Sequence, residues 1–452
     1  MNLFCSRSII RLYGQRHTKE GGMVTSRERF LNAISGITPD RIPVTLFIAD
    51  QGHFISQVYP DIDPWDFPAL QLKVIEIQKQ LGLDVFLRML YDLTDPLHIH
   101  MGGLDITHQS DNWEIKTEDC KTGNTIVKKS VIRTPDGTLE QEFSINEIRK
   151  GTFMYGCTKK PINNIKELEI AIKYEPRMPE SFKSEAKRKV KRMKDAVGND
   201  GIVGVWAPHG PFNNASLLID HDVLYSLYLE DYEYYEKLMN FASDRILEYT
   251  TAMDETGADV LCVGGNVAGG FVGKKYYDKY ILPFEKKYIS FCQKNGTPAM
   301  YHNCGKIMDL VESYKELGVK IVEPFSPPPI GDTDILKAKQ IVNGDYVMLA
   351  GIDQVNVLQK GTIDDVKRAT ATLTDIMKPG GKCIIQSAES KVSLEITGNE
   401  ERDIIRNFST QAIAGTARFN RIVTGNPTEP PNIVLHFKAE GVTPYSIRYN
   451  LT

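Results

Sequence analysis

Short apolar runs recur along the chain, each followed by a longer stretch in which apolar positions return every three or four residues. The runs at 42–47, 85–90, 202–206, 260–263, 298–302, 320–322, 346–350 and 383–386 predict eight strands. Helical spacing fills most of the gaps, as at 274–294, 306–317, 362–377 and 399–423. Thr25-Ser26-Arg27-Glu28 has the form of a capping box ahead of Phe30, Leu31 and Ile34, and Gly36 supplies a stop. Strand–helix alternation implies a parallel sheet, and eight such units fit a (β/α)8 TIM barrel, usually about 250 residues before insertions. An open doubly wound sheet is the rival, but no Gly-x-Gly-x-x-Gly follows a strand.

One stretch breaks the rhythm. Residues 100–150 read as antiparallel strands at 113–116, 125–133 and 138–143, with Asp136-Gly137 as a hairpin turn. This predicts a β insertion after the second strand, within a barrel spanning 24–425. Beyond 425 the text turns Pro-rich (Asn426-Pro427-Thr428-Glu429-Pro430-Pro431), so 426–452 is expected as a tail on the surface of its own chain or of a partner. Residues 1–23 carry Arg7, Arg11, Arg16 and Lys19 without a clear apolar face. They are expected to be a disordered leader rather than a targeting segment, with Met23 just ahead of the capping box.

Composition narrows the class only a little. The chain of 452 residues is 41% hydrophobic and 25% charged, which suits a large globular core. A net charge of −4 gives no reason to expect nucleic acid. The basic run 183–194 is interrupted by Glu185 and reads as the wet face of a helix. No apolar run is long enough for a bilayer. Seven scattered cysteines do not form a disulfide pattern and favour a reducing, cytoplasmic setting.

Chemistry in a barrel of this type gathers at the C-terminal strand ends. Those ends carry Asp50, Gln51 and His53, then Tyr91 and Asp92, then Trp206 and His209. Gly264-Gly265-Asn266 follows, then His302 and Cys304, then Glu323, then Gly351-Ile352-Asp353, then Ser387, Ala388 and Glu389. His302 and Cys304 stand out. Two residues apart on a strand, they face the same side. An imidazole and a thiol are zinc-type ligands, and a catalytic zinc takes three protein ligands with one position open. Glu323, Glu389 and Cys383 are candidates for the rest of the shell. Glu323 lies on the neighbouring strand, about 4.8 Å away in the sheet. Cys383 starts its strand, below the level of His302, and Glu389 is at the right height. The competing reading is a buried histidine beside an inert thiol. Gly264, Gly265 and Asn266 either admit a ligand or form a plain turn. Asp92 and Asp353 are substrate-facing carboxylates or helix N-caps. Phe212 is open to ligand contact, and the tyrosines between 225 and 235 read as packing.

Taken in order, these pieces resemble the uroporphyrinogen decarboxylase superfamily, and within it the corrinoid-dependent (methylcobamide) methyltransferase branch. The resemblance runs from about Ser26 to Val423. It rests on Asp40-Arg41-Ile42-Pro43-Val44, Gly210-Pro211-Phe212, Gly257-Ala258-Asp259-Val260 and Tyr280-Ile281-Leu282-Pro283. His302-Asn303-Cys304-Gly305, Gly351-Ile352-Asp353 and Gly361-Thr362 complete the set, and the hairpin 134–139 suits this branch. Porphyrinogen decarboxylases follow the first Pro-Val with an arginine-bearing stretch that grips carboxylates. Here residues 43–53 contain no arginine and gain Asp50, so a heavily carboxylated substrate would lack bidentate partners.

The resemblance implies zinc on His302, Cys304 and a later cysteine. The family cysteine falls near Ala388, beside Glu389, so the third ligand stays open between Glu389, Cys383 and Glu323. It further implies methyl transfer between a corrinoid (methylcobalamin) and a small-molecule donor or thiol acceptor, in one-carbon metabolism. The corrinoid would be carried by a partner protein, since no Asp-x-His-x-x-Gly stretch occurs here. Trp206, Gly264, Gly265, Asn266 and Asp353 are its expected contacts, and Asp92 a further catalytic carboxylate. Two alternatives stand beside this one. The first is a cofactor-free decarboxylase using Asp92 and Asp50. The second is a barrel that only binds a corrinoid protein or tetrapyrrole.

Overall fold

The structure, a computed structural model, describes residues 24–48, 51, 55, 59–89, 103–123, 125–149, 152–264, 272–387, 394–397, 432–437 and 445–450. In chain order the strands are β1 (Val85–Met89), β2 (Glu114–Thr122), β3 (Thr125–Thr134), β4 (Gly137–Arg149) and β5 (Thr152–Lys159). They continue as β6 (Gly201–Trp206), β7 (Val260–Gly264), β8 (Ala299–His302), β9 (Ile321–Phe325), β10 (Val347–Ile352) and β11 (Cys383–Ser387). The last three are β12 (Leu394–Thr397), β13 (Asn432–Phe437) and β14 (Tyr445–Asn450). Seven of them form one parallel sheet in the order β1-β6-β7-β8-β9-β10-β11.

The strand expected at 42–47 is reduced to an isolated parallel bridge between Val44 and Ile385 of β11. Pro43 has no amide hydrogen to give, which removes one rung. The segment still hydrogen-bonds on both sides. Ile385 donates to Pro43 O and Thr45 to Ile385 O, while Asp84, just ahead of β1, donates to Val44 O.

Side chains of the seven strands alternate between two packed layers. Phe86, Ile202, Trp206, Val260, Cys262, Met300, Ile321, Val347, Leu349 and Ile384 form the inner cluster with Phe47 and Phe30. Their strand neighbours, such as Leu87, Val205, Leu261, Tyr301, Val322 and Ile385, belong to the larger outer cluster shared with the helices. Burial on both faces is what a parallel sheet covered by crossover helices requires, and it explains why the strands read as continuous apolar runs.

The first helix (Ser26–Ile34) closes one end. Thr25 and Glu28 make the capping box expected from the sequence, and Phe30 enters the inner cluster, 5.8 Å from Phe86 between ring centroids. Arg29 pairs with Asp84, ahead of β1, and Arg27 with Asp259, ahead of β7. The helix therefore lies against the N-terminal strand ends and leaves the opposite end for chemistry.

The β insertion is larger than expected. Strands β2 to β5 make a four-stranded antiparallel sheet reaching Lys159 rather than 150, with the turn at Asp136-Gly137 in place. Trp113, fully buried, donates from its indole to Asp105 O, and Arg245 joins Glu175, Asn214 and the Gly103 carbonyl, fastening the insertion to the helical layer.

Residues 306–317, expected as an α-helix, are two 3-10 turns, Met308–Leu310 and Ser313–Leu317. The segment is pinned. Asp332 accepts from the amides of Ile307 and Met308, Tyr314 is bound by Asn303, and Tyr346 donates to Val311 O. Fewer residues per turn and a longer rise let it stretch between those anchors. The helix expected over 274–294 contains a π-helical turn at Tyr277–Ile281. Strands β12, β13 and β14 form a separate antiparallel sheet in which 394–397 pairs with part of the tail. The helix expected at 399–423 lies outside the described residues. Among the described residues no helix is long and apolar enough to cross a membrane.

Candidate active site

His302 is the last residue of β8, paired with Gly264 on one side and Glu323 on the other. Alternation along β8 puts Met300 on the inner side, so His302 is inner too. The ladder continues one residue further, with the Asn303 amide donating to Glu323 O at 2.8 Å. Asn303 then reaches outward, its amide nitrogen donating to Tyr314 OH at 2.8 Å. Cys304, half-buried, follows just past the end of the strand.

A polar layer surrounds His302 on the inner side. Glu323 Oε1 lies 3.0 Å from His302 Nδ1 and accepts from Arg88 Nη1 at 2.7 Å. Arg88 Nη2 donates to Gln386 Oε1 at 2.7 Å, and Gln386 Nε2 to Glu323 Oε2 at 3.1 Å. The guanidinium lies over the rings of Phe47 (4.0 Å) and Phe86 (4.7 Å), and Gln51 donates to Arg88 O at 3.3 Å. Trp206, at the end of β6, presents an edge-on contact to the imidazole, 5.3 Å between centroids. Below this layer the inner cluster is apolar. Burial pushes the Glu323 carboxyl up; the charges and hydrogen bonds of Arg88 and His302 together outweigh that and hold it below the usual carboxylate range.

Gly264 is dictated by the main chain beside it. Its φ is +109°, and a Cβ there would meet the His302 carbonyl oxygen at 2.6 Å. Asp353 caps the turn that follows β10, accepting from the amides of Val355 and Asn356 and from the Asn356 side chain. Phe212 is buried against Tyr225 and Tyr276, and of the tyrosines 225–235 all but the exposed Tyr232 are buried or half-buried in the same layer.

Cys383 is separated from His302. It begins β11, belongs to the outer cluster, and donates to Met377 O at 3.2 Å; burial pushes its thiol up to about 11. Its strand neighbours Ile384 and Gln386 are the inner ones. Among the described residues no group of three or more His, Cys, Asp or Glu is arranged to hold a metal ion. Asp50, His53, Tyr91, Asp92, Gly265, Asn266, Ala388 and Glu389 lie outside the described residues.

Three side chains of the site were not singled out from the sequence. Arg88 and Gln386 carried a usable signal, a charge and an amide inside strands otherwise fully apolar, which must be partnered. Glu285, fully buried on the helix Leu282–Cys292, carried none, because helical spacing tolerates a glutamate anywhere. Its carboxyl occupies the space a Cβ on Gly210 would take (2.3 and 2.4 Å to its oxygens), and Gly210 donates to Gly264 O at 3.2 Å.

Comparisons with known proteins bear on the family and the fold. Two relatives named methylcobamide:CoM methyltransferase MtbA are similar to the chain. The one from Methanosarcina acetivorans is 25% identical, over 61% of this chain and 80% of its own length; the one from Methanosarcina mazei is 24% identical, over 57% and 74%. A solved methyltransferase structure from Methanosarcina mazei superposes with a TM-score of 0.58 at 18% identity, covering 81% of this chain and 93% of that one, which bears on the fold. The sequence profile of the uroporphyrinogen decarboxylase (URO-D) family matches residues 157–390, a span that carries Trp206, Gly264, His302, Cys304, Glu323 and Gln386. Because that match takes in more than half of the chain and every described strand end around His302 except that of β1, the chain belongs to the uroporphyrinogen decarboxylase family.

Proposed function

We propose that this protein is a zinc-dependent methyltransferase, moving a methyl group between a corrinoid carried by a partner protein and a small-molecule donor or thiol acceptor. The observation that carries this reading is the place of His302 at the inner side of the strand ends, its Nδ1 engaged by Glu323 and Cys304 two residues on in the chain. The similarity to two methylcobamide:CoM methyltransferases supports it. We read the architecture as a (β/α)8 barrel whose first strand is the Val44 segment, bonded to β11 and to the residue ahead of β1.

The donor set fits zinc as far as it goes. A ring nitrogen and a thiol are its preferred ligands, and a carboxylate on the other imidazole nitrogen is the usual companion of a zinc-bound histidine. His302 through Nε2 and Cys304 through Sγ would hold the metal. Glu389, outside the described residues, is the proposed third donor. Bound zinc supplies a Lewis acid that deprotonates a thiol otherwise only a few per cent ionised at pH 7, a gain of roughly 2 kcal/mol.

The chain's own residues prepare the place. Glu323 orients the imidazole. Asn303, tied to Tyr314, fixes the chain between His302 and Cys304. Asp332, on the Ile307 and Met308 amides, anchors the loop just after Cys304. Trp206 and the apolar layer below keep water from the imidazole's edge. Glu323, Arg88 and Gln386 bind one another, so the Arg88 guanidinium is not offered to the carboxylates of a porphyrinogen.

The test is metal analysis joined to turnover. Protein purified in zinc-supplemented buffer should hold near-stoichiometric zinc, lost in His302→Ala and Cys304→Ala. It should also demethylate methylcobalamin with one of a panel of thiols, or methylate reduced cobalamin from a methyl donor. Zinc-free protein after such a purification sinks the reading.

A further inference from the structure

Arg88, Glu323 and Gln386 leave three different strands on the inner side of the sheet and bind one another in a closed ring. Arg88 gives one nitrogen to Glu323 and one to Gln386, and Gln386 returns its amide hydrogen to the second oxygen of Glu323. All three are almost wholly buried, at 4, 0 and 1% exposure. Two aromatic faces, Phe47 and Phe86, hold the guanidinium in place.

An ion pair is a poor way to fill such a level. Buried charges cost desolvation that well-packed apolar side chains avoid, and the level immediately below is apolar, with Cys262, Met300 and Ile384. What the ring does achieve is geometric. With both carboxylate oxygens tied, Glu323 cannot rotate, and Oε1 stays on His302 Nδ1. For Glu323 to become a metal donor, it would have to give up charge-assisted bonds in a buried setting.

We propose that Arg88 and Gln386 are positioning residues for His302. By fixing Glu323 they keep the imidazole in the tautomer protonated on Nδ1, so that Nε2 is the ligand nitrogen. Glu323 then serves His302 rather than the metal. The inference rests on the methyl-transfer reading for the identity of the ligand, and its primary readout is taken without metal.

The experiment uses the full chain labelled with 15N-histidine, metal-free at pH 8. Long-range 1H–15N correlation separates the two imidazole tautomers, and His302→Gln identifies the signal among nine histidines. The wild type should show Nδ1–H. Gln386→Leu and Arg88→Met should show mixed tautomers, with zinc affinity, measured against a chromophoric chelator, reduced about 10- to 100-fold. Arg88→Met leaves Glu323 without its cation and can fail to fold. The double variant Arg88→Met/Glu323→Gln removes both charges together and should fold, as judged by near-UV circular dichroism, with the tautomer preference lost. Arg88→Lys, which keeps the charge without the fork, should rescue only in part. An Nε2–H wild type overturns the proposal, as does a preference unchanged in both Gln386→Leu and the double variant. The expected tautomers in a protein that binds no zinc would keep the positioning role and sink the methyl-transfer reading instead.

Discussion

The thiol of Cys383 donates to the carbonyl of Met377 at 3.2 Å, on the helix-facing side of the sheet, while Gln386, three residues on, faces His302's side. A residue at the start of a strand and of the wrong parity cannot be brought to His302 without slipping β11 by one place. Such a slip would turn Ile384 out of the inner cluster and expose its whole alternation. Cys383→Ala should therefore keep its full zinc content and lose only about 1 kcal/mol of stability, from the bond and the small void. Metal analysis beside a urea unfolding curve checks both. Zinc loss in this variant would place Cys383 at the metal after all.

That contrast shows what the sequence makes legible. The nearness of His302 and Glu323 could be expected because strand order is written in the text and survives folding. Arg88 was hidden in plain view, one charge within Val85–Met89, because an apolar run is read as a strand and its exception passed over. Its partners lie 235 and 298 residues away, a pairing only the folded sheet creates. The 3-10 turns after Cys304 were missed because helical spacing is scored locally, whereas Asp332 and Tyr346 pull that segment straight from outside it. The first strand was over-read because an apolar run does not reveal how many rungs it will make.

Gly264 and His302 meet through backbone, which makes Gly264→Ala a sensitive probe of the site. The new Cβ would be strained at φ +109° and would lie 2.6 Å from the His302 carbonyl oxygen. A cost of roughly 2–4 kcal/mol is expected, above the usual range for a surface change. Since the strand end rather than the core is displaced, zinc affinity should fall in the fraction that remains folded. Calorimetric unfolding and chelator competition measure the two effects. A neutral substitution would show that β7 and β8 are less closely apposed there.

Asp84 organises the opposite end. It is fully buried, accepts from Arg29 and Arg41, and also receives the Val44 amide that begins the bridged segment. Asp84→Asn leaves two arginines short of their counter-charge and should destabilise by roughly 3–5 kcal/mol. Denaturant midpoints at matched slope give the value. The tautomer of His302 should stay unchanged in folded protein, because the apolar inner layers separate the two ends. A loss under 1 kcal/mol would mean that Arg29 finds enough compensation in Asp40 alone.

Glu285 predicts a pH dependence with a definite sign. Burial pushes its carboxyl up to about 8, from an ordinary 4.5, while the Phe212 amide draws it the other way. Tyr277 and Tyr301 lie near it from neighbouring elements and Tyr288 from its own helix, and burial raises all three well beyond any pH of interest, so they stay neutral. Below pH 4.5 the carboxyl is protonated in folded and unfolded chains alike, and its contribution to stability is complete. Between 4.5 and 8 the folded protein keeps a proton that the unfolded chain releases, so stability falls as pH rises, by about 1.4 kcal/mol per unit from this group. Above about 8 the loss levels off. Glu285→Gln has no proton to lose and keeps nearly the same shape against Gly210. Its stability relative to wild type should therefore increase steadily from pH 5 to pH 8 and then stay level. Other titrating groups cancel in that difference. Unfolding free energies of the two proteins across pH 5–9 supply the test, and parallel curves would show that Glu285 is already ionised in the folded state.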